Sequence, residues 1–100
     1  MQDDQTILAL LFARAEQAIV ALSAKYGGAC GKLAGNILKN DIDAEECVND
    51  AYLAVWNTVP PQRPAPLRAY VLRIVRNLAI AKYHANSGMV QPKFQLTSVT

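Results

Sequence analysis

Arg73, Asn77 and His84 recur four and seven residues apart in the second half of a 100-residue chain, with Arg76 beside them. At about 100° per residue on a helix, the three share one face and Arg76 borders it. Arginine neutralises phosphates, and arginine and asparagine carry the forked groups that read base edges. Arg68 and Lys82 flank the apolar side of the same segment. Residues 51–100 contain no Asp or Glu, so no acid within the segment can pair with these cations, whereas surface helices normally interleave charges. A solvated basic helix would look the same; the alignment of Arg with Asn suits phosphates and bases.

A second constellation is Glu46, Asn49, Asp50, Leu53 and Asn57 in "EECVNDAYLAVWN". Their spacing makes one helical strip opposite the apolar positions. It is acidic at one end, bears amides, and has a leucine at its centre. Isolated surface leucines are normal. An apolar contact ringed by polar groups is interface anatomy, and the acids favour a basic partner helix. Trp56 lies between strip and core and is expected to pack inward. Tyr52 is a core residue. Tyr70 points inward too, although a tyrosine beside such a face can stack on a base.

Other chemistry finds little support. There is one histidine, no carboxylate pair beside it, no phosphate-cradling glycine loop and no nucleophile motif, so no catalytic residue is expected and the chain is not read as an enzyme. Cys30 and Cys47 match no metal spacing. They are expected as buried, reduced thiols, and neither a metal nor a cofactor is implied.

The net charge of +2 hides a division: residues 1–50 hold all eight acids and four Lys or Arg, whereas residues 51–100 hold six Lys or Arg. The asymmetry points to two unlike partners, one of them a polyanion. No apolar run approaches the roughly 18 residues that span a bilayer, so no membrane partner is expected. The start is acidic rather than basic, unlike a secretory signal, and the expected location is cytoplasmic.

Four helical segments must position these residues. The first is expected over about Asp4–Lys25, with Leu8, Leu11, Phe12, Ala15, Ile19 and Leu22 inward, Asp3 and Asp4 at its N-terminus, and Gly27-Gly28 as its break. The second covers about Ala29–Lys39, with Cys30, Leu33, Ala34 and Ile37 inward. Gly31 and Gly35 suggest close approach of a neighbouring helix. The third follows "NDID", capped by Asp41 or Asp43, with Asp43 and Glu46 at capping-box spacing. It buries Ala44, Cys47, Val48, Ala51, Tyr52 and Val55 and ends near Thr58, because Pro60-Pro61 cannot continue it. "PPQRPAP" is a stiff extended loop. The fourth helix covers 67–86, with Leu67, Tyr70, Val71, Ile74, Leu78 and Ala81 inward. These make an all-α, compact four-helix bundle over residues 1–87. Residues 88–100 read as an irregular tail.

"NDIDAEECVNDAYLAVW", a proline-rich loop and "LRAYVLRIVRNLAIAKY" together resemble the second conserved region of bacterial RNA polymerase sigma factors, extracytoplasmic-function class, over about residues 6–86. The resemblance implies a bundle of the sigma region-two type. It also implies that the acidic strip docks on the clamp helices of the largest subunit of core RNA polymerase. Leu53 is then the apolar centre of that contact. The loop from Pro61 to Leu67 looks like the one that captures a flipped base of the non-template strand of promoter DNA. Arg73, Arg76 and Asn77 stand where the family meets the upstream edge of the minus-ten element. The DNA-binding candidates are Arg63, Arg68, Arg73, Arg76, Asn77, Lys82 and His84; the polymerase-binding candidates are Glu46, Asn49, Asp50, Leu53 and Asn57.

The sequence departs from the family's full-length pattern. It shows no second helix-turn-helix domain, and "SGMVQPKFQLTSVT" replaces the usual basic run, so the tail reads like a truncation, a frameshift product or an artificial end. The alternative to a transcription initiation module is therefore an isolated helical interaction domain. Such a domain would bind polymerase, an anti-sigma factor or itself, without productive DNA binding. A duplex-reading helix-turn-helix protein is disfavoured, because no short helix pair with a basic second helix is present.

Overall fold

The computed structural model describes residues 3–88. It contains α1 (Asp4–Phe12), α2 (Gln17–Leu38), α3 (Asp41–Thr58) and α4 (Leu67–Gly88), and no strand occurs among the described residues. The fold is the expected all-α four-helix bundle. The tail expected over 88–100 lies, beyond Gly88, outside the described residues.

Helix α1 starts where Asp3 caps it, its carboxylate accepting from Thr6 N at 2.8 Å. It buries Ile7, Leu8 and Leu11 against α2. Asp4 docks the two helices, its Oδ1 accepting from Lys25 Nζ at 2.8 Å and Tyr26 Oη at 2.5 Å. Partial burial pushes the Asp4 carboxyl up, but the Lys25 and Tyr26 hydrogen bonds outweigh it and hold it below its ordinary value.

The first two helices divide differently from expectation. The chain breaks at 13–16, and α2 then runs unbroken through Gly27-Gly28 to Leu38. Each glycine weakens a helix by about 1 kcal/mol, but buried Tyr26 and Cys30 anchor the helix on both sides of the pair. The break falls at Arg14, which adopts a left-handed backbone with φ of 57°. Nothing in "ARAE" forbids a helix. The turn is closed locally, Ala15 N donating to Leu10 O and Arg14 N to Leu11 O, and it is tied from outside by contacts of Arg14 with the end of α3. Expected close approach at Gly31 and Gly35 is also absent: a Cβ built at either, or at Gly28, meets nothing within 4 Å. Helix α2 ends at Lys39, whose left-handed backbone (φ 57°) directs its N–H to Gly35 O.

Helix α3 is capped by Asn40, not by Asp41 or Asp43; Asn40 Oδ1 accepts from Asp43 N at 2.9 Å. The Asp43–Glu46 capping box does not form, since both side chains reach instead toward α4. All six residues expected inward on α3 are buried. Both thiols are buried and free, and burial pushes each above its ordinary value.

The inward face of α4 is rotated from the expected stripe. Leu67 and Val71 are buried as expected, but Val75 and Ala79 complete the line. Tyr70, Ile74 and Leu78 are half-buried flanks, and Ala81 is exposed. The cause is helix spacing: α4 packs on both α2 and α3, and small residues occupy the closest approach while bulky ones flank it. Cys47 Sγ lies 3.6 Å from Val75 O across this seam.

Candidate functional site

Because α3 buries Ala44, Cys47, Val48, Ala51, Tyr52 and Val55, its opposite strip must face outward. Glu46, Asn49, Asp50, Leu53 and Asn57 are all exposed, Leu53 at 57%. The same helical line extends one turn back to Ile42, which is 79% exposed. That residue was legible in the spacing and was missed.

The strip does not stand alone. A groove between α2 and α3 runs beside it, with Asn49 and Tyr52 lining its whole length. At one end it is lined by Ile19, Leu53 and Trp56, and at the other by Gly27, Gly31, Asp41 and Glu45. Val20, 70% exposed, borders the middle. Trp56 is half-buried and belongs to both core and groove, rather than to the core alone. Tyr52 is buried as expected but its surface also lines the groove. The α2 contribution was invisible in the sequence, because it depends on how α2 and α3 are juxtaposed.

On α4, Arg73, Arg76, Asn77 and His84 are exposed, as expected of an outward face. Among the described residues no ion pair engages Arg68, Arg73, Arg76 or His84. Tyr83, 50% exposed, packs edge-on to His84 with ring centroids 5.8 Å apart. It adds an aromatic surface that the charge pattern did not reveal.

Lys82 is set apart from this group. It turns toward α3 and pairs with Glu46 of the acidic strip. That hydrogen bond holds the ammonium above its ordinary pKa. Asn86 Nδ2 donates to Asp43 Oδ2 at 3.3 Å nearby. The end of α4 is thus tied to the strip, and Lys82 joins the acidic surface rather than the Arg73 face. Arg68 is exposed near the start of α4.

The proline-rich loop joins α3 to α4 and is held at several points. Tyr70 Oη donates to Thr58 Oγ1 at 2.7 Å, and Thr58 Oγ1 donates to Ala54 O at 2.8 Å. This couples the two helix ends that bracket the loop and engages the Tyr70 hydroxyl. Gln62 N donates to Thr58 O at 2.9 Å. Arg63 is exposed, with its guanidinium 4.1 Å above the Phe12 ring. Arg14 Nη1 donates to Trp56 O at 2.8 Å and to Val59 O at 3.0 Å, while its guanidinium lies 3.9 Å over the Trp56 ring.

The family model described as Sigma-70 region 2 matches residues 22–87. The chain belongs to the sigma-70 region 2 family. The match takes in the groove side of α2 from Leu22, the acidic strip, the loop and the cationic face of α4. No curated protein and no solved structure matches significantly. Sigma region 2 is a non-catalytic domain of transcription initiation, with roles in RNA polymerase binding and in recognition of the minus-ten promoter element. Helix α1 and the Arg14 break precede the matched stretch. Among the described residues, no helix is long and apolar enough to cross a membrane, and no group of acids, cysteines and histidine is placed to hold a metal.

Proposed function

We propose that this sigma region 2 chain is of the extracytoplasmic-function class and works through two separate surfaces. Glu46, Asn49, Asp50, Leu53 and Asn57, with the groove beside them, dock on the clamp helices of the largest polymerase subunit. Leu53 is the apolar centre of the contact, and the acids select a basic partner. Arg63, Arg68, Arg73, Arg76, Asn77 and His84, with the proline loop, engage the non-template strand of the minus-ten element. Base capture costs a few kcal/mol of unstacking, which pocket and phosphate contacts offset. The observation that carries the reading is Leu53: an exposed leucine in an exposed acidic strip, beside an apolar groove, on a helix whose other side is fully packed.

The test is retention on core polymerase. Leu53→Asp and Asp50→Lys should abolish or sharply weaken it; undiminished retention of both variants sinks the docking assignment. For the second surface, a labelled random pool of single-stranded DNA should bind with an affinity that falls steeply with salt, and Arg73→Ala or Asn77→Ala should weaken it.

A second reading is favoured by the Lys82–Glu46 pair, which neutralises one cation assigned to DNA. In this reading the chain is an interaction domain for polymerase, an anti-sigma factor or a second copy of itself. It predicts polymerase retention without single-strand binding.

A further inference from the structure

The backbone of the break between α1 and α2 is closed locally, Ala15 N donating to Leu10 O and Arg14 N to Leu11 O, but its Arg14 side chain leads to one distant place. A non-glycine residue in the left-handed region costs about 1 kcal/mol, yet Arg14 holds it. Its side chain reaches 42 and 45 residues along the chain to Trp56 O and Val59 O. Those carbonyls mark the end of α3 and the start of the proline loop. The last turn of α3 contains no basic residue of its own, although a helix C-terminus favours a cation. Arg14 supplies that cation from another element. Its guanidinium also lies over the Trp56 ring, a cation–π contact that helps hold the side chain in place. Two residues earlier, Phe12 seats the guanidinium of Arg63, in the middle of the same loop. The elbow therefore meets the loop at two separated points, Val59 and Arg63. Arg63 is exposed and its guanidinium makes no side-chain hydrogen bond among the described residues, so its donors remain available above the Phe12 ring.

We propose that the Phe12–Arg14 elbow positions the proline loop for single-strand capture, with Arg14 as a positioning residue and Phe12 as the seat that presents Arg63 to a phosphate or base. The inference rests on the reading of the loop as a DNA-capturing element. It assigns to α1, which lies outside the family match, a role in that recognition. The physical effect is preorganisation: a loop already held in its binding conformation loses less entropy on binding.

The test compares the full chain with Arg14→Ala, Arg14→Lys and Phe12→Leu, measuring binding of the labelled single-stranded DNA pool and retention on core polymerase. Arg14→Ala and Phe12→Leu should each lower DNA affinity about fivefold, the scale of one or two side chains losing their fixed geometry. Polymerase retention should stay at the wild-type level. Arg14→Lys keeps the charge but neither bridges both carbonyls nor stacks as a plane, so it should recover only part of the loss. DNA affinity unchanged in both Arg14→Ala and Phe12→Leu, while Arg73→Ala still weakens binding, overturns the elbow's role and leaves the loop reading standing. Equal loss of DNA and polymerase binding also overturns it, because the elbow would then act only through the fold as a whole. Absence of single-strand binding by the wild type overturns the loop reading itself, and the elbow's role with it.

Discussion

Cys30 and Cys47 sit at the packed seams of α2 and α3, and burial pushes both thiols above their ordinary values. A thiolate, not a thiol, attacks disulfide reagents. In the native chain at neutral pH both should therefore react slowly with an aromatic disulfide, and both should react at once in denaturant; fast native reaction of either would contradict its placement. Asn40 offers a test of a different kind. It took the capping role expected of Asp41 or Asp43 because it stands one residue before the first helical turn, where the backbone is extended. Asn40→Ala should lower stability by about 1 kcal/mol in chemical denaturation, and Asp43→Ala by less. At this scale the sequence was most legible where a residue's role depends on its own helix. The outward placement of Leu53 was legible because the wheel of α3 alone sets it. The Lys82–Glu46 pairing was not, because the two lie 36 residues apart.

Helices were legible in proportion to how locally their limits are set. The inward face of α3 was read without error, since six buried positions recur at helical spacing on one side. The face of α4 was turned, because large apolar residues announce an interface while Val75 and Ala79 occupy its centre. The α1–α2 break could not be seen at all: its left-handed cap falls on an arginine, with no glycine to announce it, and that side chain reaches the end of α3. Gly27-Gly28 was mistaken for a break because propensity yielded to the packing of Tyr26 and Cys30. The open space at Gly28, Gly31 and Gly35 makes a direct prediction. Gly35→Ala should stabilise α2 by up to about 1 kcal/mol, read as a higher unfolding midpoint; destabilisation would mean that a neighbour closes over that face.

The joint between α1 and α2 gives the molecule a pH-sensitive end. Asp4 titrates below its ordinary value of 3.8 in the folded chain, through the Lys25 and Tyr26 hydrogen bonds that outweigh burial. A carboxylate with a lowered folded pKa stabilises the fold above its unfolded pKa and loses that contribution as pH falls through the folded value. Asp4→Asn should therefore lower the unfolding midpoint at neutral pH, and its difference from wild type should shrink as pH drops below about 3.8. A difference that persists undiminished in acid would show that packing, not charge, carries the Asp4 effect.

Across the whole molecule, the charge division seen in the sequence survives folding as two surfaces, one acidic on α3 and one cationic on α4, joined at one end by Lys82 and Glu46. A single residue stands where the Arg14 elbow, α3 and the groove converge. Trp56, the chain's sole tryptophan, lines the groove beside Leu53 and carries the guanidinium of Arg14. Its intrinsic emission is consequently a label-free optical gauge. Filling the groove changes the indole's contact with water, while releasing the elbow removes a cation from its ring face and shifts the emission energy, so one chromophore reports on both events without any added dye.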